Sequence, residues 1–227
     1  MEWYSIVVDR DVKGSPSRRE RKAQETRQRV LDAAEALFVG HGYGATTITA
    51  IAEAADVAVQ TVYAVFGSKR AILAELLEAR IAGDGQPRRL RDRQDWQAME
   101  REPDPRRQTE RLAAIATRIG EQVAALSEVV AAAAATDPEI ADLHASQQQA
   151  RYEDQRRLAR SLARKGTLRP GLPEDRAADV IWALVNARTY RSLVGDRRWT
   201  ADEYERWLAS LLACALLGQP VAQGTPV

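Results

Sequence analysis

Between Thr47 and Lys69 the chain sets out hydroxyl, amide and ammonium groups in a short span: Thr47, Gln60, Thr61, Tyr63 and Lys69. A primary amide such as that of Gln60 can pair bidentately with an adenine edge, and Ala58, Val59 and Thr61 can add apolar contact to a thymine methyl. Thr47, Tyr63 and Lys69 suit phosphate oxygens, Thr47 and Lys69 all the more because free N–H groups at a helix start would reinforce them. The first set would determine sequence preference and the second would supply affinity.

These groups need a scaffold, and the stretch from Thr46 to Lys69 supplies one. It reads as helix, tight turn, helix, turn and the start of another helix. The Thr46-Thr47 pair can cap the first helix, whose Ile48, Ile51, Ala52 and Ala55 fall on one face. A turn follows at Asp56-Val57, where Asp tolerates the left-handed backbone. The next helix begins near Ala58. Its Val62, Val65 and Phe66 face back, leaving Val59, Gln60, Thr61 and Tyr63 on or beside the outward surface. Two short helices so joined form a helix-turn-helix, whose second helix enters the major groove of double-stranded DNA.

The charge distribution agrees. Net charge is only +1, which excludes a basic nucleic-acid coat. Yet Lys13, Arg18, Arg19, Arg21, Lys22, Arg27 and Arg29 face only Glu20 and Glu25 just before the motif, and neutralising phosphates supplies much of DNA affinity.

Other chemistries find little support. His41 and His144 stand far apart, and no H-E-x-x-H or nucleophile elbow occurs. Cys214 is the single cysteine, so no intrachain disulfide or cysteine metal cluster can form. Its helical neighbours point to a buried small hydrophobe. Gly40-His41-Gly42-Tyr43-Gly44 lacks phosphate-loop spacing and follows a helix rather than a strand. We therefore expect no catalytic residues, no metal and no cofactor, with an all-α enzyme as the remote alternative. The run from Val129 to Thr136 is too short to span a membrane. The first twelve residues lack the character of a signal peptide, so a cytoplasmic protein is expected.

The chain has 227 residues, 45% hydrophobic and 29% charged, enough for one or two folded domains. Gly14-Ser15-Pro16-Ser17 marks residues 1–18 as a disordered basic arm. A first helix is expected from about Arg19 to Val39, buried along Val30, Ala34, Leu37 and Phe38 and stopped by Gly40. Ser68 is placed to cap a fourth helix from Lys69 to about Ala82, which Gly83 to Pro87 breaks.

Residues 26 to 77 resemble the N-terminal domain of the tetracycline-repressor-like (TetR) family of bacterial transcriptional regulators. The resemblance rests on Phe38 and the Gly-Tyr loop, Thr46-Thr47-Ile48, Ile51-Ala52, Ala55, Val57, Thr61-Val62-Tyr63, Phe66, Lys69 and Leu73. Three positions depart from the family pattern: Asp56 replaces the turn glycine, Ala58 a serine that often opens the recognition helix, and Gln60 a glycine.

The resemblance implies a ligand-responsive regulator, by default a repressor. It would bind a palindromic operator as a homodimer and be released when a small molecule moves the fourth helix. A protein of the same fold without a small-molecule effector is the nearer alternative.

The rest of the chain reads as helical: a short helix near Asp95 to Arg101, a long one from about Pro105, one from Asp137-Pro138 to about Leu162, and closing helices over Glu174–Val194 and Ala201–Leu217. No segment alternates as a strand does. The expected fold is thus all-α, with a helix-turn-helix DNA-binding domain over 19–68, a helical effector-binding and dimerisation domain over 69–218 and a flexible tail over 219–227. Trp96, Met99, His144, Tyr152 and Trp182 are candidates to line a pocket for a largely apolar effector. Trp207, Leu208, Leu211 and Leu212, with Leu184 of the preceding helix, make a stripe suited to a dimer interface.

Overall fold

The structure, a computed structural model, describes residues 17–83 and 90–217. The expected arm up to residue 16, most of the break after the fourth helix and the tail lie outside these residues, whereas Ser17 and Arg18, expected in the arm, cap and open the first helix. Among the described residues every regular element is helical.

Local chemistry explains where most helices start. The first, α1 (Arg18–His41), opens on a capping box: the Glu20 N–H donates to Ser17 Oγ and the Ser17 N–H to the Glu20 carboxylate. It runs past Gly40, and Gly42, at φ 82°, ends it. The stop therefore falls two residues later than expected, at the glycine that takes up positive φ. Thr47 caps α2 (Ile48–Ala54), Ala58 precedes α3 (Val59–Phe66) with no side-chain cap, and Ser68 caps α4 (Lys69–Ala82).

A 3-10 turn over Leu90–Asp92 leads into α5 (Gln94–Arg101). Asp104-Pro105 and Asp137-Pro138 then open the long helices α6 (Pro105–Ala134) and α7 (Pro138–Arg164), each with an Asp cap and a proline in the first turn.

The expected helix over 174–194 is interrupted. The segment forms α8 (Glu174–Leu184), a break at Val185-Asn186, the single turn α9 (Ala187–Tyr190) and a π-helical turn over Arg191–Asp196. Arg151 of α7 takes up the carbonyls at the break, its Nη1 donating to those of Trp182 (3.2 Å) and Val185 (2.7 Å) at the end of α8. The Asn186 side chain accepts from the Thr189 N–H and so caps α9. The last helix is α10 (Ala201–Leu217).

Two apolar cores result. The N-terminal core joins Val30, Ala34, Phe38, Ile51, Val62 and Phe66 to Ile72, Leu73, Leu76 and Leu77 of α4. A boundary between residues 68 and 69 would cut through this core. The same core takes Leu126 and Val130 from α6 and Ile140 from α7. The C-terminal core is built from α5 to α10, with Leu112, Ala113 and Ile115 of α6 at its centre. At 30 residues α6 is about 45 Å long, and it feeds both cores.

Candidate nucleic-acid interface

The α2 and α3 axes bend by 110° about the turn at Asp56, within the range of helix-turn-helix units. Asp56 sits at φ 51°, as its tolerance for the left-handed region allows. Val62 (0% exposed) and Phe66 (8%) pin α3 to the core. That anchoring turns Ala58, Gln60 and Tyr63 to solvent, with Tyr63 53% exposed, while Thr61 is half-buried. Val59 is also half-buried and packs partly on the core, so its apolar surface is shared between the two sides.

Thr47 and Lys69 differ in what the fold leaves them to do. The Thr47 oxygen accepts from the Ala50 N–H at 3.1 Å, which leaves its own hydrogen to donate outward. Lys69 turns inward instead. Its Nζ donates to the carbonyls of Tyr43 and Thr46, both at 2.8 Å, and lies 4.2 Å from the centroid of the Tyr43 ring. Burial lowers its pKa, while Asp137 acts in the opposite sense. Lys69 thus latches the start of α4 to the loop after α1.

The outward cation at this helix start is the next residue, Arg70, which is exposed. Sequence reasoning passed over it, although two consecutive basic residues on a helix point in directions about 100° apart. One of the pair was bound to face away from the loop.

Polar contacts tie α1, α3 and α4 together. Arg27 pairs with Glu75 and stacks on the Phe66 ring at 4.8 Å, joining α1, α3 and α4. Arg80 pairs with Glu35 and, at 3.0 Å, with Asp32. Beyond Arg27 the first turns of α1 stand free of the core, with Arg18, Arg19 and Lys22 exposed.

The residues proposed for an effector pocket do not gather round one cavity. Trp96 (2% exposed) and Met99 (0%) are inside the C-terminal core, which Tyr152 borders. The Tyr152 hydroxyl donates to Asp179 Oδ1 at 2.9 Å. His144 is half-buried higher on α7, bonded to Gln148. Trp182 is 39% exposed beneath the Arg151 guanidinium, whose burial lowers its pKa to about 10. One cleft instead lies where α1, α4 and α6 meet, lined by Glu35, Arg80, Gly83, Glu121 and Gln122.

The dimer stripe also divides. Leu208 and Leu212 are fully buried in the chain's own core, because positions four apart face α6. Trp207 and Leu184 are half-buried and pack against the edge of that core, Leu211 is half-buried, and Cys214 is half-buried rather than in the core. Among the described residues no group of three His, Cys, Asp or Glu is placed to hold a metal ion, and no single helix is long and apolar enough to cross a membrane.

Residues 30–76 match the family model of bacterial regulatory proteins of the tetR family. Solved structures share the fold along most of the chain. SmeT, the repressor of the Stenotrophomonas maltophilia multidrug efflux pump SmeDEF, superposes in its triclosan complex with a TM-score of 0.66 at 21% identity, over 89% of this chain and 98% of that one.

NalD, the secondary repressor of the MexAB-OprM multidrug efflux pump in Pseudomonas aeruginosa, gives 0.66 at 22% identity, over 86% and 98%. The fatty acid degradation regulator FadR from Bacillus halodurans gives 0.63 at 19%, over 82% and 94%. No curated protein sequence matches the chain. The anchored, outward-facing α3 and the family match agree: residues 30–76 form the N-terminal domain of the tetR type of bacterial regulatory proteins, and the rest of the chain shares the all-α fold of the solved structures.

Proposed function

We propose that this chain is a homodimeric, ligand-responsive repressor that acts in the cytoplasm on a palindromic operator. The observation that carries the reading is α3 itself, with Val62 and Phe66 fixed in the core and Ala58, Gln60 and Tyr63 presented to solvent. Gln60 reads an adenine, and Thr61 and Val59 contact thymine methyls. Thr47, Tyr63 and Arg70 hold phosphates, while Lys69 holds the geometry.

Pairing would use α8 and α10. Val180, Leu184, Trp207, Leu211 and Cys214 are each half-buried, and a second copy would cover the apolar surface they keep. Support for a small-molecule effector comes from SmeT, whose structure holds triclosan.

The test is a pair of variants on duplexes recovered with the wild-type protein. Gln60→Ala should cost about 1–3 kcal/mol at one base position and relax preference there. Arg70→Ala should weaken all sequences alike and reduce the salt slope by about one. Uniform weakening by both changes would refute the division of roles.

A further inference from the structure

The helix that presents Gln60 is held in place from outside itself. α3 has eight residues and no side-chain cap at Ala58, and a helix of that length is marginal on its own in water. Its orientation therefore depends on what fixes Val62 and Phe66. Val62 is 0% exposed, whereas Phe66, the last residue before Gly67 ends the helix, keeps 8% of its surface open.

A charged group covers one face of the Phe66 ring. The Arg27 guanidinium of α1 lies 4.8 Å from the ring centroid, within the range of a cation–π contact. Its direction is set from α4: Arg27 Nε donates to Glu75 Oε1 and Arg27 Nη2 to Glu75 Oε2. Two parallel bonds of this kind fix the plane of a guanidinium as well as its place. A chain of printed-out contacts thus runs from α4 through Glu75 and Arg27 to the end of α3. It is separate from the Lys69 latch, which ties the start of α4 to the carbonyls of Tyr43 and Thr46.

We propose that Arg27 and Glu75 are a positioning pair for DNA recognition: Glu75 of α4 sets the guanidinium, and the guanidinium holds Phe66 and with it the outward face of α3. The assignment rests on the DNA-binding reading above and adds two residues that need touch neither base nor phosphate. A direct phosphate contact is the competing role for Arg27, but Glu75 already neutralises that charge and occupies Nε and Nη2. The two side chains are 37% and 22% exposed, and ion pairs so placed add little to stability. The pair should therefore be felt in recognition more than in the thermal midpoint.

The experiment measures full-length Glu75→Gln, Arg27→Lys and Arg27→Gln on the duplex that the wild-type protein selects and on a scrambled duplex, over a series of salt concentrations. Glu75→Gln should weaken binding to the selected duplex on the order of tenfold and narrow the gap between the two duplexes. The direction is diagnostic, because removing a negative charge would by charge alone tighten binding to DNA. Arg27→Lys should lose as much as Arg27→Gln, since an ammonium reproduces neither the fork nor the planar stack. Arg27→Gln should keep the wild-type salt slope.

Equal or tighter binding of the selected duplex by Glu75→Gln would overturn the assignment. So would wild-type affinity in Arg27→Lys with a salt slope lowered by about one in Arg27→Gln, the behaviour of a phosphate contact. A loss that vanishes once affinities are corrected for the folded fraction would reduce the pair to a stability role and overturn it too. In each of these cases the wild-type protein still selects its duplex. Failure of the wild type to select any duplex would overturn the regulator reading itself, and the assignment with it.

Discussion

Among the described residues, α3 carries its polar groups to solvent, whereas the C-terminal core keeps buried polar atoms without a partner. On α3, Gln60 and Tyr63 point to solvent from a helix anchored by Val62 and Phe66. In the C-terminal half, Trp96 Nε1 and Gln155 Oε1 are buried without a hydrogen-bond partner. The difference sets a surface whose polar groups are free to dock against an interior whose polar groups are shut away from solvent. Joining them is α6, which contributes Leu126 and Val130 to one core and Leu112 to the other.

The strongest way to break this contrast is to empty each core in turn. Phe38→Ala should cost about 3–5 kcal/mol and Leu208→Ala about 2–5 kcal/mol, since both side chains are fully buried. Because α6 serves both cores, each loss should appear as one shared unfolding transition by circular dichroism and tryptophan fluorescence. Two separable transitions would show that the halves are independent.

A smaller change tests how closely α6 meets the segment after the α8 break. A Cβ on Gly120 would lie 2.5 Å from the Tyr190 ring. Gly120→Ala should therefore destabilise by about 1–3 kcal/mol through overpacking. It should leave the DNA affinity of the folded protein unchanged; a thermal midpoint equal to wild type would mean that Tyr190 yields without cost.

The smallest effect concerns Asp95, which joins α5 to α6 by accepting from Arg93 and Arg118, each at 3.2 Å. Burial pushes its carboxyl up, but the Trp96 N–H and the two guanidinium groups prevail and leave it below the usual carboxylate range. The folded state then binds fewer protons than the unfolded chain near the ordinary aspartate pKa. Its contribution is present above that pH and is lost as the pH falls through the lowered value. Asp95→Asn should flatten the acid limb of a stability-versus-pH curve. An unchanged limb would assign the acid sensitivity elsewhere.

How far the sequence alone could be read depends on the range of the interactions. Caps at Thr47, Ser68 and Asp137 and the left-handed Asp56 were legible, because each depends on residues within a few positions. Lys69 was misjudged because the carbonyls that hold it belong to Tyr43 and Thr46, 26 and 23 residues away. The break after Leu184 was invisible for the same reason: Arg151, which takes the freed carbonyls, lies on another helix.

In α10 the apolar stripe was wide, and periodicity alone could not separate Leu208 and Leu212, fully buried in the core, from Trp207 and Leu211, which are only half-buried. The outward face of α3 was legible, since burying Val62 and Phe66 determines where Gln60 points.

The central claim is that two copies present α3 to DNA as a symmetric pair. Selection of duplexes from a random-sequence library by the full-length protein tests it most directly. The account predicts enrichment of an inverted repeat whose half-sites are centred about one helical turn, roughly 34–36 Å, or a multiple of it apart, with an adenine whose preference is lost in Gln60→Ala. Enrichment of a single asymmetric site, or of no sequence at all, would contradict it.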